Sequence, residues 1–144
     1  MSEIKKLGFG LMRLPVIGGD MENIDLAQVC QMVDLFLKRG FTYFDTAWAY
    51  HNGKSEDAVR ETLVKRHPRK NFLLASKLPT FAVTSKEQVQ EMFQQSLERT
   101  QAGYFDYYLL HNLNNILYNR YTADENKKIF QIIGYKIFWI LLYY

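Results

Sequence analysis

The chain has 144 residues, 48% of them hydrophobic, with a net charge of +3 and a single cysteine. This length supports one domain with a real core, and the apolar share argues against a disordered chain. The mild charge, with no clustered run of lysine or arginine, argues against a nucleic-acid partner, and one cysteine excludes an internal disulfide or a multi-cysteine metal site within the chain.

Met1-Ser2-Glu3-Ile4-Lys5-Lys6 lacks the apolar core of a signal peptide. No apolar run reaches the roughly 20 residues of a membrane span, so no membrane partner is expected. Leu7 to Pro15 (LGFGLMRLP) reads as a strand weakened by two glycines. Such glycines mark either a bulge or a place where something approaches the backbone closely. Gly18-Gly19-Asp20 is a turn.

Residues 24–39 read as a helix. Leu26, Val29, Cys30, Val33, Phe36 and Leu37 follow the spacing of a buried stripe. Asn23 or Asp25 can cap its start, and Gly40 suits its end. Cys30 is expected as a buried free thiol, which suits a reducing cytoplasm. Phe41 to Phe44 is a short β-prone run that ends at Asp45.

Tyr50 follows in a loop. Ser55 can cap a second helix running to about Lys65, with Glu56 placed against its N-terminal dipole. His67-Pro68-Arg69 stops it. Phe72 to Ser76 is a continuous apolar run, as for a strand buried on both faces, and it ends at Lys77. Ser85 to Gln88 matches a capping box. The helix behind it carries Val89, Met92, Phe93 and Leu97 on one face, and Ala102-Gly103 ends it. Tyr107 to Leu110 is the fourth strand, ending at His111.

The resulting βαβαβαβ order, with short connections, predicts a parallel sheet with right-handed crossovers. It fits a doubly wound open sheet or a (β/α)8 barrel. The glycine-rich fingerprint of dinucleotide-binding open sheets is not present at the first strand–helix turn. Residues 112–144 differ in character: Asn112, Asn114, Asn115 and Asn119 come first, then an almost wholly apolar stretch from Ile129 to Tyr144 broken by Lys136. Two readings of it stand side by side, a buried strand or helix, or a sequence foreign to the fold.

Asp45, Lys77 and His111 share one place in this pattern. Each is the first polar, titratable residue after a buried strand. In a parallel sheet those ends lie side by side on the face where α/β folds bind ligands. One such residue alone would read as a structural ion pair or a satisfied core histidine; three on successive strands, with Tyr50 nearby, read as a site. The chemistry they suit is proton transfer to a carbonyl. A free tyrosine has a pKa of about 10, too high for easy donation near neutrality. A nearby ammonium favours the phenolate, a carboxylate holds that ammonium, and a histidine can donate a hydrogen bond to the substrate oxygen. No side chain is a hydride donor, so reduction needs a cofactor, with nicotinamide the default.

The segments LGFGLMRLP at 7–15, FDTAWAYHNGKSE at 44–56, LLASKLP at 73–79 and LERTQAGYFDYYLLHN at 97–112 together resemble the aldo/keto reductase family. Within it they resemble the branch of predicted oxidoreductases that often carries a C-terminal iron–sulfur domain. The resemblance implies a (β/α)8 barrel with NADPH across its C-terminal mouth. It implies that Tyr50 is the proton donor, Lys77 the lysine that lowers its pKa, Asp45 the carboxylate paired with that lysine, and His111 the histidine that orients the carbonyl. Gly10 and Met12 align with first-strand positions beside the nicotinamide, and Asn112 follows the histidine as it does in that branch; with Asp45 they are the cofactor-binding residues the resemblance implies. Trp48 either lines the substrate pocket or packs its loop. The resemblance gives His51 and His67 no role, and both read as surface or loop histidines.

A full barrel takes about 250 residues. Against that, the chain is expected to form a truncated (β/α)8 barrel of about the first four βα units over residues 1–115, with an atypical tail at 116–144. The segments that grip the cofactor's phosphates, and any iron–sulfur cysteines, would belong to the part not matched. The readings are then an NADP-dependent reductase of aldehydes or ketones, or an inactive fragment or interaction module that keeps the four residues. Unpaired strand edges allow self-association.

Overall fold

The computed structural model describes residues 6–112. The apolar stretch, and with it the division of the chain at 115, lies outside the described residues.

Among the described residues four strands form one parallel sheet in the order β1-β2-β3-β4. They are β1 (Gly8–Gly10), β2 (Tyr43–Asp45), β3 (Leu73–Leu78) and β4 (Tyr107–Leu110). Helices α1 (Leu26–Lys38), α2 (Ser55–Val59) and α3 (Lys86–Thr100) connect them. Each strand pairs with its chain neighbours, and nothing reverses the order, as expected for an arc of a barrel wall rather than a doubly wound sheet.

Strand alternation decides which side chains face the helices. Phe44, Leu74, Leu78 and Tyr108 are buried on that side, against Val29 and Val33 of α1, Ala58 and Val59 of α2, and Val89 of α3. The centre of the larger core is aromatic: Phe44 meets Phe9, Phe36 and Phe72 with ring centroids 5.5, 5.2 and 6.1 Å apart. Burying a side chain of this size stabilises the fold by about 2 kcal/mol, before any ring–ring preference is added.

The first strand is shorter than the sequence suggests, covering only Gly8–Gly10 of the stretch from Leu7. Its two glycines differ. A Cβ on Gly8 would lie 3.0 Å from Cδ1 of Tyr43, so it is the chain's own ring that approaches the backbone there. Among the described residues nothing lies within 4 Å of the corresponding point on Gly10.

Asp25 caps α1, its carboxylate accepting from the Gln28 amide at 2.9 Å, and Gly40 follows the helix at φ +80°. The helix starts at Leu26 rather than 24, and Leu26 is exposed because the buried stripe begins one turn later, at Val29. Cys30 is half-buried, not buried, since it sits at the margin of that stripe.

Ser55 does not cap α2. It lies inside the helix, fully buried, and its hydroxyl donates to the Leu11 carbonyl at 3.1 Å and accepts from the Thr46 hydroxyl at 2.8 Å. A buried hydroxyl takes the partners that burial leaves it, and here they bind α2 to the ends of β1 and β2. Glu56 is fully buried too, rather than turned to solvent at the helix start. After Val59 the helix widens into a π turn over Arg60–Val64. At α3, Ser85 accepts from the Gln88 amide as the capping box requires, but the Gln88 side chain reaches back to the Thr84 amide instead. Gln101, in the left-handed region at φ +52°, ends that helix. Among the described residues no helix is long and apolar enough to cross a membrane.

Candidate active site at the strand ends

Alternation places Asp45, Lys77 and His111 on the face opposite the helices. Asp45 is the last residue of β2 and stands in register with Gly10 and Ala75. Lys77 lies within β3, paired with Leu109, not after the strand, because parallel pairing to β4 continues through Leu78. His111 follows β4, its amide bonded to the Leu78 carbonyl at 2.9 Å and its carbonyl accepting from the Thr80 hydroxyl.

Lys77 joins the three strand ends. Its ammonium pairs with the Asp45 carboxylate and donates to the Thr46 carbonyl at 2.8 Å. It also lies 4.7 Å from the centroid of the Tyr50 ring. His111 also meets that ring, edge to face, with centroids 5.4 Å apart and planes at 90°. Phe81, from the loop after β3, stands 5.9 Å from the same imidazole. Tyr50, Lys77, Asp45 and His111 thus form one contiguous group.

Burial, then the positive charge of Lys77, pushes the His111 pKa below its ordinary value, and Asp45 only partly opposes this. The ring is therefore neutral near neutrality and can donate a hydrogen bond without carrying charge. Tyr43 stands next to the group. Burial first, then the Asp45 carboxylate, pushes its phenol up to about 12, so it stays protonated. Its ring lies 5.8 Å from that of Tyr107 on the inner face, across β3.

The loop that carries Tyr50 is fixed by His51. His51 and Asn52 have φ of +52° and +50°, which turns the chain sharply between Tyr50 and Gly53. Left-handed backbone costs a non-glycine residue about 1 kcal/mol or more, so something must hold it. The His51 ring does. It lies in the loop, as the reading of a surface or loop histidine allows, but it is buried rather than exposed; Nε2 accepts from the Leu14 amide at 2.9 Å, which leaves Nδ1–H to donate to the Met21 carbonyl at 2.7 Å. His67 bonds Asp34 at 2.9 Å, away from the site.

Of the other expected positions, Gly10 is adjacent to Asp45 with open space above it, and Met12 and Asn112 are exposed at the ends of β1 and β4. Trp48 packs on α3: its indole N–H donates to Gln95 at 3.3 Å, and the Arg99 guanidinium lies 4.7 Å from its ring. Sequence reasoning missed the polar set behind the sheet, Glu56, Ser76 and Arg99. The available signal was Glu56 itself, a carboxylate sharing a helical stripe with Val59 and Leu63. Among the described residues no group of three or more histidine, cysteine, aspartate or glutamate side chains is arranged to hold a metal.

The profile of the Aldo/keto reductase family matches residues 6–134. An aldo-keto reductase of Bacillus subtilis (strain 168), YhdN, is 27% identical over 136 residues, covering 89% of this chain and 40% of its own length. The NAD(P)H-dependent D-xylose reductase of Pachysolen tannophilus is 34% identical over 104 residues, covering 69% of this chain and 31% of its own. Among solved structures, an aldo-keto reductase from Klebsiella pneumoniae in complex with NADPH superposes with a TM-score of 0.67 at 22% identity, over 90% of this chain and 41% of that one. AKR11C1 from Bacillus halodurans, in its holo form, gives 0.67 at 28% identity, over 90% and 42%. The chain spans 40% of the length of the first of these curated relatives. The iron–sulfur branch rests on the sequence resemblance alone.

Proposed function

The chain belongs to the aldo/keto reductase family, and on that premise we propose that its strand ends carry an NADP-dependent oxidoreductase site that reduces an aldehyde or ketone. The supporting observation is the convergence of Tyr50, Lys77, Asp45 and His111 on one face, joined by an ion pair, a cation–π contact and a ring–ring contact. A merely structural ion pair would not bring a phenol and a neutral imidazole to the same ammonium. Two relatives add to it: one is an NAD(P)H-dependent reductase by name, the other was crystallised with NADPH.

The residues present fit a nicotinamide cofactor. Gly10 leaves open the space that a side chain would fill beside Asp45. Gly10 and Met12 at the end of β1, Asp45 on β2 and Asn112 after β4 would hold it. When bound, NADPH supplies the hydride that no side chain can.

The chain's own groups then manage the oxygen. His111, neutral, donates a hydrogen bond to the carbonyl oxygen and orients it. Tyr50 gives its phenolic proton to the oxygen as negative charge develops there. Lys77 stabilises the phenolate left behind, since a nearby cation favours the charged form of an acid. Asp45 holds Lys77 in place. Trp48, on the same loop as Tyr50, is the candidate wall of the substrate side. The expected contribution of such a positioned acid is about 10²–10⁴-fold in rate.

The test is a titration of NADPH into the purified chain, followed by nicotinamide fluorescence and thermal stability. Saturable binding with a rise in melting temperature is expected. A flat titration removes the reductase reading for this chain and leaves that of a scaffold which keeps the four residues without the cofactor.

A further inference from the structure

On the helix side of the sheet, directly behind the site, lies a second polar cluster that the proposed reaction does not use. Glu56 has no exposed surface. One carboxylate oxygen accepts from the Ser76 hydroxyl at 2.7 Å, and the other lies 3.6 Å from Arg99 Nη1. The hydroxyls of Ser96 and Tyr108 are buried in the same cluster, and neither makes a well-formed hydrogen bond among the described residues. Burial raises the Glu56 pKa, against the opposing pull of Ser76, Ser96 and Arg99.

Both partners of Glu56 lead to the front of the sheet. Ser76 is the residue before Lys77 in β3. Arg99 donates to the Trp48 carbonyl at 3.4 Å and stacks on the Trp48 ring, in the loop between Asp45 and Tyr50. One buried carboxylate therefore touches the strand that presents the lysine and the side chain that holds the tyrosine's loop. An apolar residue of similar volume would pin α2 to the sheet at lower desolvation cost. What a carboxylate adds is direction: two partners fixed at set angles.

We propose that Glu56 is a positioning residue for the reductase site, setting Lys77 through Ser76 and the Tyr50 loop through Arg99 and Trp48. This rests on the reductase reading above, so the experiment carries one readout that needs no turnover. In the ¹⁵N-labelled chain, the indole N–H signal of Trp48 is assigned by its loss in Trp48→Phe, which separates it from Trp139. Glu56→Gln keeps the shape and the Ser76 partner while removing the carboxylate that faces Arg99; Arg99→Gln, at a partly exposed position, cuts the same link with little risk to folding.

Both variants are expected to move the Trp48 signal, and the double variant to move it no further than the larger single effect. Both are expected to lower kcat by about 10- to 100-fold with KM within about twofold, as for a small misplacement of reacting groups. Arg99→Lys should recover part of kcat. An unmoved Trp48 signal in Glu56→Gln overturns the link, since Arg99 touches Trp48 directly and its own variant serves as the positive control; unchanged kcat in Glu56→Gln with an active wild type overturns it too. If the wild type shows no turnover at all, the reductase reading falls, while the Trp48 signal still decides whether Glu56 holds the loop.

Discussion

The ammonium of Lys77 sits over the face of the Tyr50 ring, 4.7 Å from its centroid, while paired to the Asp45 carboxylate. The lysine is thus held by three groups at once: a carboxylate, the Thr46 carbonyl and an aromatic face. Its side chain is 13% exposed and that of Asp45 26%, so the pair is shielded from the full screening of a surface salt bridge.

Lys77→Met should therefore cost stability as well as chemistry. It strips Asp45 of a charge-assisted partner at a half-buried position, for an expected loss of about 2 kcal/mol. Urea unfolding of the variant against wild type measures this. A midpoint unchanged within error would mean that solvent already screens the pair.

The lowered pKa of His111 has a sign that can be checked. A folded-state pKa below the unfolded value of 6.5 means that folding favours the neutral ring. Its contribution is complete above 6.5 and is lost as pH falls through that value to the folded pKa. Lys77, Asp45, Tyr50 and Phe81 are the groups that face the ring. The His111 Hε1 resonance should titrate with a midpoint below 6.5, and a midpoint at or above it would contradict the burial argument. Folding stability should decline from pH 6.5 downward, less steeply in His111→Gln.

Gly10 and Gly8 should separate cofactor binding from folding. Gly10→Ala places a methyl where no described residue lies within 4 Å, so the melting temperature should hold while NADPH binding weakens. Gly8→Ala places it 3.0 Å from the Tyr43 ring, and the ring must give way, for a cost of about 1 kcal/mol. If Gly10→Ala binds NADPH as wild type does, Gly10 is not beside the cofactor.

Phe44 marks the centre of the core. Phe44→Ala should lose about 3–5 kcal/mol, the usual cost of emptying a large buried aromatic site. A loss under about 1 kcal/mol would show that the surrounding rings collapse into the space.

Much of this was legible in the sequence, and the exceptions share a cause. Hydrophobic period and strand–helix alternation placed all four strands, and the strand ends at Asp45 and His111 followed from where apolar runs stop. Single residues failed where tertiary contact overrides local preference. Ser55 has the chemistry of a helix cap, yet Leu11 and Thr46, 44 and 9 residues away, claim its hydroxyl. His51 looks like a loop histidine until its backbone folds inward to meet Leu14 and Met21. Lys77 looked like a residue beyond its strand because its charge ended the apolar run, but charge ends a run of hydrophobic residues without ending a ladder of backbone hydrogen bonds. Glu56 stands at a helix start, as its sequence context suggests, and only the packed sheet behind it shows that the helix start is interior.

The central claim is that Tyr50 gives the proton to a reduced carbonyl. Single-turnover oxidation of NADPH by an aromatic aldehyde, followed at the nicotinamide absorbance in wild type and Tyr50→Phe, tests it most directly. Oxidation is expected in wild type, and in the variant a rate lower by about 10²–10⁴-fold with NADPH binding nearly unchanged. Equal rates in the two proteins would contradict it.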